Sequence, residues 1–181
     1  MDKSRTKKNP LNIFTLHSGY SWKYPSCWVK NIKFEFRKFK YAWQRITKGY
    51  SDWDLWDLDV FYQYLFSNSI NEFSDNTMGY PGNTEFPTFE DWQNYLKQMS
   101  FLFKESIEGE ESLKNEYWDE YCVKILDNPN YFNDLNKEMD ATKKTLQKKY
   151  FERENDIATY RNDCLNKALD MLKHIFGHLW W

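Results

Sequence analysis

The chain has 181 residues, a formal net charge of −2 and an aromatic content of 20%. This length fits one domain with a continuous core, and the aromatic content excludes a disordered chain, because disordered segments are poor in aromatic residues. With only 6 Gly and 5 Pro, the composition favours long helices over a turn-rich β fold.

Charge is distributed unevenly along the chain. Residues 1–50 carry 12 Lys or Arg against 2 acidic residues, a local charge of +10. The remainder carries 13 basic and 25 acidic residues, a local charge of −12. The basic segment could dock on the acidic remainder, or it could present a surface for phosphates or anionic lipid.

The cysteines and the N-terminal residues indicate the compartment. The three cysteines are odd in number and far apart, which argues against a disulfide framework or a zinc knuckle and for a reducing compartment. The first apolar run is short and is interrupted by Asn12 and Thr15, so neither a signal peptide nor a membrane span is expected. These features predict a cytoplasmic protein.

Residues 1–10 are predicted to be a disordered tail, and residues 11–181 to form a single helical domain. The first helix of this domain is predicted over residues 28–48. Five apolar side chains recur at helical spacing and predict a face packed on the core: Ile32, Phe36, Phe39, Trp43 and Ile46. The basic residues lie mostly off that stripe. They could form the solvated side of a core helix, contact nucleic acid or lie on an anionic membrane. The candidate binding residues are Lys33, Arg37, Lys40, Arg45 and Lys48.

The second helix is predicted to begin at Ser51, within the aspartate-rich stretch SDWDLWDLD. Ser51 and Asp54 have the spacing of a capping box. Asp52 and Asp54 would then lie in a first helical turn, where carboxylates are favoured by the helix dipole. Four apolar side chains predict the buried stripe of this helix: Leu55, Leu58, Tyr62 and Leu65.

Asp52 and Asp59 are the candidates for a catalytic or binding pair. They are seven residues apart and therefore share a helical face, on which two carboxylates could hold Mg²⁺. Asp59 lies at the edge of the apolar stripe, so its environment is the one expected to be unusual. This alternative is a Mg²⁺-dependent protein that binds or hydrolyses a nucleotide or signal nucleotide, with Arg45 or Lys48 beside the carboxylates. The Glu-Glu-x-x-Glu pattern of all-α nucleotide pyrophosphohydrolases does not occur in the sequence.

Helices are predicted in the second half of the chain as well. Thr88 is expected to cap a third helix whose core stripe is Trp92, Leu96, Met99 and Phe103. A fourth is predicted from Leu113 to Leu126, before Asn128-Pro129. A long segment from Leu135 to Ile175 follows, which could be one bent helix or two helices, with the break between two helices at 152–156.

The three candidate metal ligands lie near the C-terminus and follow one another at intervals of four residues. They are Asp170, His174 and His178. On an intact helix such a run could bind zinc, but Gly177 argues against an intact helix there. Neither a metal nor any other cofactor is expected.

Four blocks of the sequence resemble a family of small, uncharacterised bacteriophage proteins. The blocks are YAWQRITKGYSDWDLWDLDVFYQYL, GYPGN, TFEDWQNYLKQM and ALDMLKHIFGHLW. The family pattern is an aromatic and basic helix leading into (K/R)-G-Y-x-D-x-D-x-W-x-(L/F)-D, followed by a Gly-Tyr-Pro loop. Residues 104–160 depart from the pattern and could be a lineage-specific insertion. The resemblance implies a phage or prophage protein in the cytoplasm of a bacterial host, and it assigns no catalytic residue.

The sequence as a whole predicts an all-α fold of five or six helices around an aromatic-rich core, with a long C-terminal helix or helical hairpin. The function expected is that of a non-enzymatic phage accessory protein. It would bind and modulate, most simply inhibit, a bacterial host protein such as a defence complex. The nucleotide protein and a nucleic-acid contact through helix 28–48 are the alternatives. Nine tryptophans also leave room for a homodimer interface.

Overall fold

The computed structural model describes residues 11–15, 20–126 and 141–179. Its α-helices are α1 (Pro25–Lys48), α2 (Leu58–Asn76), α3 (Phe89–Glu105), α4 (Trp118–Tyr121) and α5 (Ala141–Ile175). Within these ranges there is no β-strand, so the predicted all-α class and the long C-terminal helix are confirmed. Residues 1–10, the Asn128-Pro129 stop and Leu135 lie outside the described residues.

The main core is built by three helices, with α3 between α2 and α5. The predicted stripe of α3 is confirmed, because Trp92, Leu96, Met99 and Phe103 are each at most 1% exposed. Ala168, Leu172 and Ile175 of α5 and Ile70 of α2 pack against the same cluster. Fully burying one such side chain contributes about 1.5–3 kcal/mol to folding.

The predicted cap of α3 is also confirmed. The Thr88 hydroxyl oxygen accepts a hydrogen bond from the Asp91 N–H at 3.1 Å, and the hydroxyl donates to the Asp91 carboxylate at 2.6 Å. Both bonds fix the first turn at the residue where the sequence places it.

Of the two alternatives for the C-terminal segment, the single helix is the one observed: α5 runs without interruption for 35 residues, and the break at 152–156 does not occur. The polar run contains no Gly or Pro, and it is tied to the segment before α4. Arg153 donates to the Glu116 carboxylate at 3.0 Å, and Asn115 donates to the Glu154 carboxylate at 2.7 Å. The predicted fourth helix is shorter than expected: α4 has one turn, and a wider π turn follows at Cys122–Leu126.

Two predictions for α2 are wrong: the residue at which the helix begins and the face that it buries. The helix begins at Leu58, seven residues after Ser51, and it turns Phe61, Ser67 and Ile70 inward. Leu55, Leu58, Tyr62 and Leu65 are between 36% and 54% exposed. None of the helices in the described ranges is both long enough and apolar enough to span a membrane.

Candidate interaction site

Helix α1 is held by one side in a small cluster that is separate from the main core. Ile13 and Phe34 are buried in this cluster, with Tyr41, Ala42 and Trp53 partly buried around them. The Phe34 and Trp53 rings meet edge to face, with their centroids 5.4 Å apart. The apolar contacts of α1 in this cluster therefore come from the turn before it and the loop after it.

A buried ion pair fixes the C-terminal part of α1. The guanidinium of Arg45 donates to both carboxylate oxygens of Asp54, with 2.9 Å between Nε and Oδ2. The same carboxylate accepts hydrogen bonds from the Ser51 N–H at 2.7 Å and the Ser51 hydroxyl at 2.8 Å. Arg45 also donates to the Leu11 carbonyl at 2.6 Å and lies over the Phe61 ring. Arg45 therefore joins α1, the loop after it and α2.

The hydrogen bonds around Asp54 keep its carboxylate ionised. Burial alone would raise the pKa of Asp54, but the hydrogen bonds from Arg45 and Ser51 outweigh burial and lower it. The bond from the Ser51 N–H to the Asp54 carboxylate is one half of the capping box that the spacing predicts, while the Ser51 hydroxyl donates to the same carboxylate and the Asp54 N–H donates to the Ser51 carbonyl. The turn ends before a helix is propagated. Asp54, predicted only to cap a helix, is thus a buried structural anion.

The opposite side of α1 carries its apolar stripe into solvent. The five predicted core residues are all exposed, by 49–76%: Ile32, Phe36, Phe39, Trp43 and Ile46. Trp28 and Val29 extend the stripe, and the Phe14 ring lies edge-on to Phe39 at 6.2 Å. The prediction that this stripe packs on the core is wrong. Its spacing correctly groups these residues on one face, but Phe34 and Arg45 hold the other side of α1 against the protein.

This outward face of α1, defined as Trp28, Val29, Ile32, Phe36, Phe39, Trp43 and Ile46, is unusually large for a single chain. From residue 28 to residue 46 it is about 27 Å long at the rise of an α-helix. Seven partly exposed side chains of this size present on the order of 1,000 Å². Monomeric proteins rarely expose a contiguous apolar patch above roughly 300–600 Å², and larger patches mark interaction sites.

The predicted basic binding residues divide into three groups. Lys33, Arg37 and Lys48 are exposed. Lys40 is exposed as well, but its ammonium pairs with the Asp52 carboxylate at 2.8 Å. The guanidinium of Arg45 is paired with the Asp54 carboxylate. Only part of the predicted set is therefore free to contact a ligand.

Asp52 and Asp59 do not share the environment that the Mg²⁺ alternative needs. Asp52 accepts from Lys40, and its N–H donates to the Gln44 side-chain oxygen at 3.0 Å. The hydrogen bond from Lys40 lowers the pKa of Asp52 and is the largest cause of that shift. Asp59 is exposed in the first turn of α2, where the helix dipole favours a carboxylate. Asp59 is not the aspartate with the unusual environment; Asp54 is.

The candidate zinc residues lie on two elements at the end of the chain. Asp170 and His174 lie on α5, but the helix ends at Ile175 and His178 belongs to the 3₁₀ turn Phe176–His178. The His174 ring nitrogen contacts the Glu85 carboxylate at 2.7 Å. In the described part of the chain no three His, Cys, Asp or Glu residues are grouped as metal ligands.

A second polar cluster, around Glu105, was not foreseen from the sequence. Glu105 is 3% exposed, and its carboxylate accepts from the Ser112 N–H and hydroxyl and from the Tyr160 hydroxyl at 2.7–2.9 Å. Burial raises the pKa of Glu105, but these hydrogen bonds outweigh it and lower the pKa. The cluster joins the end of α3 to α5 across 55 residues of sequence, a separation that no local pattern could reveal.

Comparison of the chain with protein-family models, with curated proteins and with solved structures gave no match.

Proposed function

We propose that this protein acts by binding another protein through the outward face of α1, without chemistry of its own, and that its target is a protein of a bacterial host. The single observation that carries the proposal is the exposure of that face on a helix anchored from behind. An interface core rich in Trp, Phe and Ile and poor in charge is typical of protein–protein contacts. The host target, with a defence complex as one candidate, follows from the resemblance to phage proteins.

The charges around α1 also favour a protein partner. Asp52, one of the two aspartates of the Mg²⁺ alternative, already binds Lys40, and the neighbouring Asp54 binds Arg45. Residues 1–50, which include α1, carry a local charge of +10 that attracts phosphates, but residues after 50 carry −12 and repel the phosphates of nucleic acid and of anionic lipid. An apolar face beside an acidic body fits a folded protein partner better than a polyanion.

Site-specific photocross-linking in bacterial cells tests the proposal. A photoreactive amino acid replaces Phe36, which is 72% exposed in the centre of the face. The control replaces Phe101, which is 53% exposed on α3 and lies outside the face. We expect protein adducts at position 36 that are absent at position 101, among them an adduct with a host protein. Adducts with nucleic acid or lipid alone, or identical patterns at both positions, would contradict the proposal.

A further inference from the structure

The outward face of α1 has the periodicity of a two-stranded coiled coil. Its apolar residues alternate at intervals of three and four, so that Val29, Phe36 and Trp43 occupy heptad a positions and Ile32, Phe39 and Ile46 occupy d positions. A stripe that repeats every 3.5 residues is the seam along which two helices supercoil around each other. The buried residues of α1 occupy positions b, c and f, away from the seam: Asn31, Phe34, Lys38 and Gln44. Among the described residues, the contacts that bury part of α1 therefore lie behind the seam; on the seam itself the Phe14 ring meets Phe39 edge-on and stays 61% exposed.

The residues that flank the seam match those of an identical helix in parallel orientation. In a parallel pair, a g residue lies opposite the next e residue of the partner helix. Glu35 is at g and Lys40 is at the following e position, so two identical chains would form two Glu35–Lys40 ion pairs related by symmetry. In an antiparallel pair, e faces e, and Lys33 of each chain would oppose Lys40 of the other.

From this pattern we infer that the outward face of α1 is a self-association surface, on which a second copy of the chain pairs in parallel to form a symmetric dimer. The second copy binds the same face that the proposed function uses, so this inference rests on that proposal. The area is sufficient, because a standard interface buries roughly 800 Å² per partner. The face exposes on the order of 1,000 Å².

Both flanking residues are accessible for this pairing. Glu35 is 50% exposed and contacts Lys38 at 2.9 Å. Lys40 is 61% exposed and contacts Asp52 at 2.8 Å. A carboxylate has a second oxygen and an ammonium has three donors, so each group can bind across the interface while keeping its present contact.

One seam cannot hold a second copy and a target at the same time. Binding of a host protein to the outward face therefore requires the dimer to separate. The target's own helix would replace the second copy, so target binding becomes weaker as the dimer becomes more stable. Self-association therefore regulates the proposed function by reducing the amount of protein that can bind the target.

Sedimentation equilibrium of the full chain, from about 1 µM to about 100 µM, tests the dimer in the range where interfaces of this size can associate. We expect dimer formation that Phe36→Glu abolishes and the matched exposed substitution Phe101→Glu leaves unchanged. A monomer throughout the range, or a dimer indifferent to Phe36→Glu, would overturn the inference. A monomer that instead binds phosphatidylserine vesicles through Phe36 would overturn it in favour of a membrane surface.

Charge exchange tests the orientation. Glu35→Lys alone and Lys40→Glu alone should each weaken the homodimer, since both flanking pairs become repulsive. An equimolar mixture of the two variants should form the heterodimer, in which both pairs are attractive, in preference to either homodimer by about tenfold. Statistical mixing without that preference would overturn the parallel pairing.

The two proposals fail in different ways. A monomeric protein that still cross-links to a host protein through position 36 removes the dimer and leaves the proposed function. A dimer that depends on Phe36 but gives no host adduct in cells removes the host target and leaves the pairing.

Discussion

Replacing Arg45 by Met should lower the free energy of unfolding by about 3–5 kcal/mol, because it leaves the buried carboxylate of Asp54 without a cation. Asp54 is 3% exposed and has its two oxygens bound by Arg45. Met keeps most of the aliphatic packing of the arginine stem and removes the charge and its donors. A loss of this size is a large fraction of the about 5–15 kcal/mol by which small domains are stable.

The paired variant Arg45→Met/Asp54→Asn should be more stable than Arg45→Met alone. Asn carries no charge, and its side-chain oxygen can still accept from the Ser51 N–H, as the carboxylate does at 2.7 Å. We expect the double variant to lose only about 1–2 kcal/mol relative to the wild type, the cost of the remaining hydrogen-bond changes. Urea unfolding followed by circular dichroism gives all three values.

The penalty of Arg45→Met should also shrink in acid. In the wild type the pKa of Asp54 lies below its ordinary value of 3.8, so the ion pair contributes fully above that value and is lost as the pH falls through the lowered pKa. In the variant, burial without Arg45 favours the protonated acid, which forms at higher pH and relieves the penalty. A cost under about 1 kcal/mol at neutral pH, or a double variant no better than the single one, would refute the buried-pair reasoning.

Three further substitutions test other contacts. Thr88→Ala should cost about 1 kcal/mol in urea unfolding because α3 loses its cap, and no change would place the start of α3 elsewhere. Glu105→Ala should cost about 1–3 kcal/mol by leaving the Ser112 and Tyr160 donors unpaired; a neutral result in the same assay would mean that the cluster is solvated. Lys40→Met should change stability by less than about 1 kcal/mol because its ion pair is exposed. The pKa of Asp52, followed by NMR titration, should nevertheless rise toward its ordinary value, and an unchanged pKa would show that Lys40 is not its partner.

The sequence predicts α3 well because its local signals agree with its place in the fold. Thr88 and Asp91 form the cap that their spacing indicates, and Trp92, Leu96 and Met99 bury the one apolar face that the helix has. When a helix lies between two others, its apolar stripe can only point into the core. Propensity, cap and packing then lead to the same structure.

Helix α1 shows what spacing cannot predict. Its stripe identifies residues that share a face, but it does not say whether that face meets the core or another molecule. Phe34 decides the matter together with the Arg45–Asp54 pair, whose partners are nine residues apart and on different elements. The alternation of three and four residues between apolar positions is common to core faces and to coiled-coil seams, so it does not distinguish between them.

The candidate site was likewise predicted in part. The basic residues of α1 that the sequence names as binding candidates have different places in the structure: Arg45 pairs with Asp54, Lys40 pairs with Asp52, and Lys33 and Arg37 are exposed. The sequence favours Asp59 over Asp54 as the unusual aspartate, because capping accounts for Asp54 within a continuous helix. The helix instead begins at Leu58, and the turn before it brings Asp54 under Arg45.

The central claim is that α1 turns its apolar stripe away from the protein, and two phenylalanines two residues apart test it directly. Phe34 is 7% exposed and Phe36 is 72% exposed. In dilute protein, Phe34→Ala should lower the free energy of unfolding by about 3 kcal/mol, and Phe36→Ala should change it by less than about 0.5 kcal/mol. The opposite order, with Phe36→Ala the costly substitution, would place the stripe in the core and contradict the account.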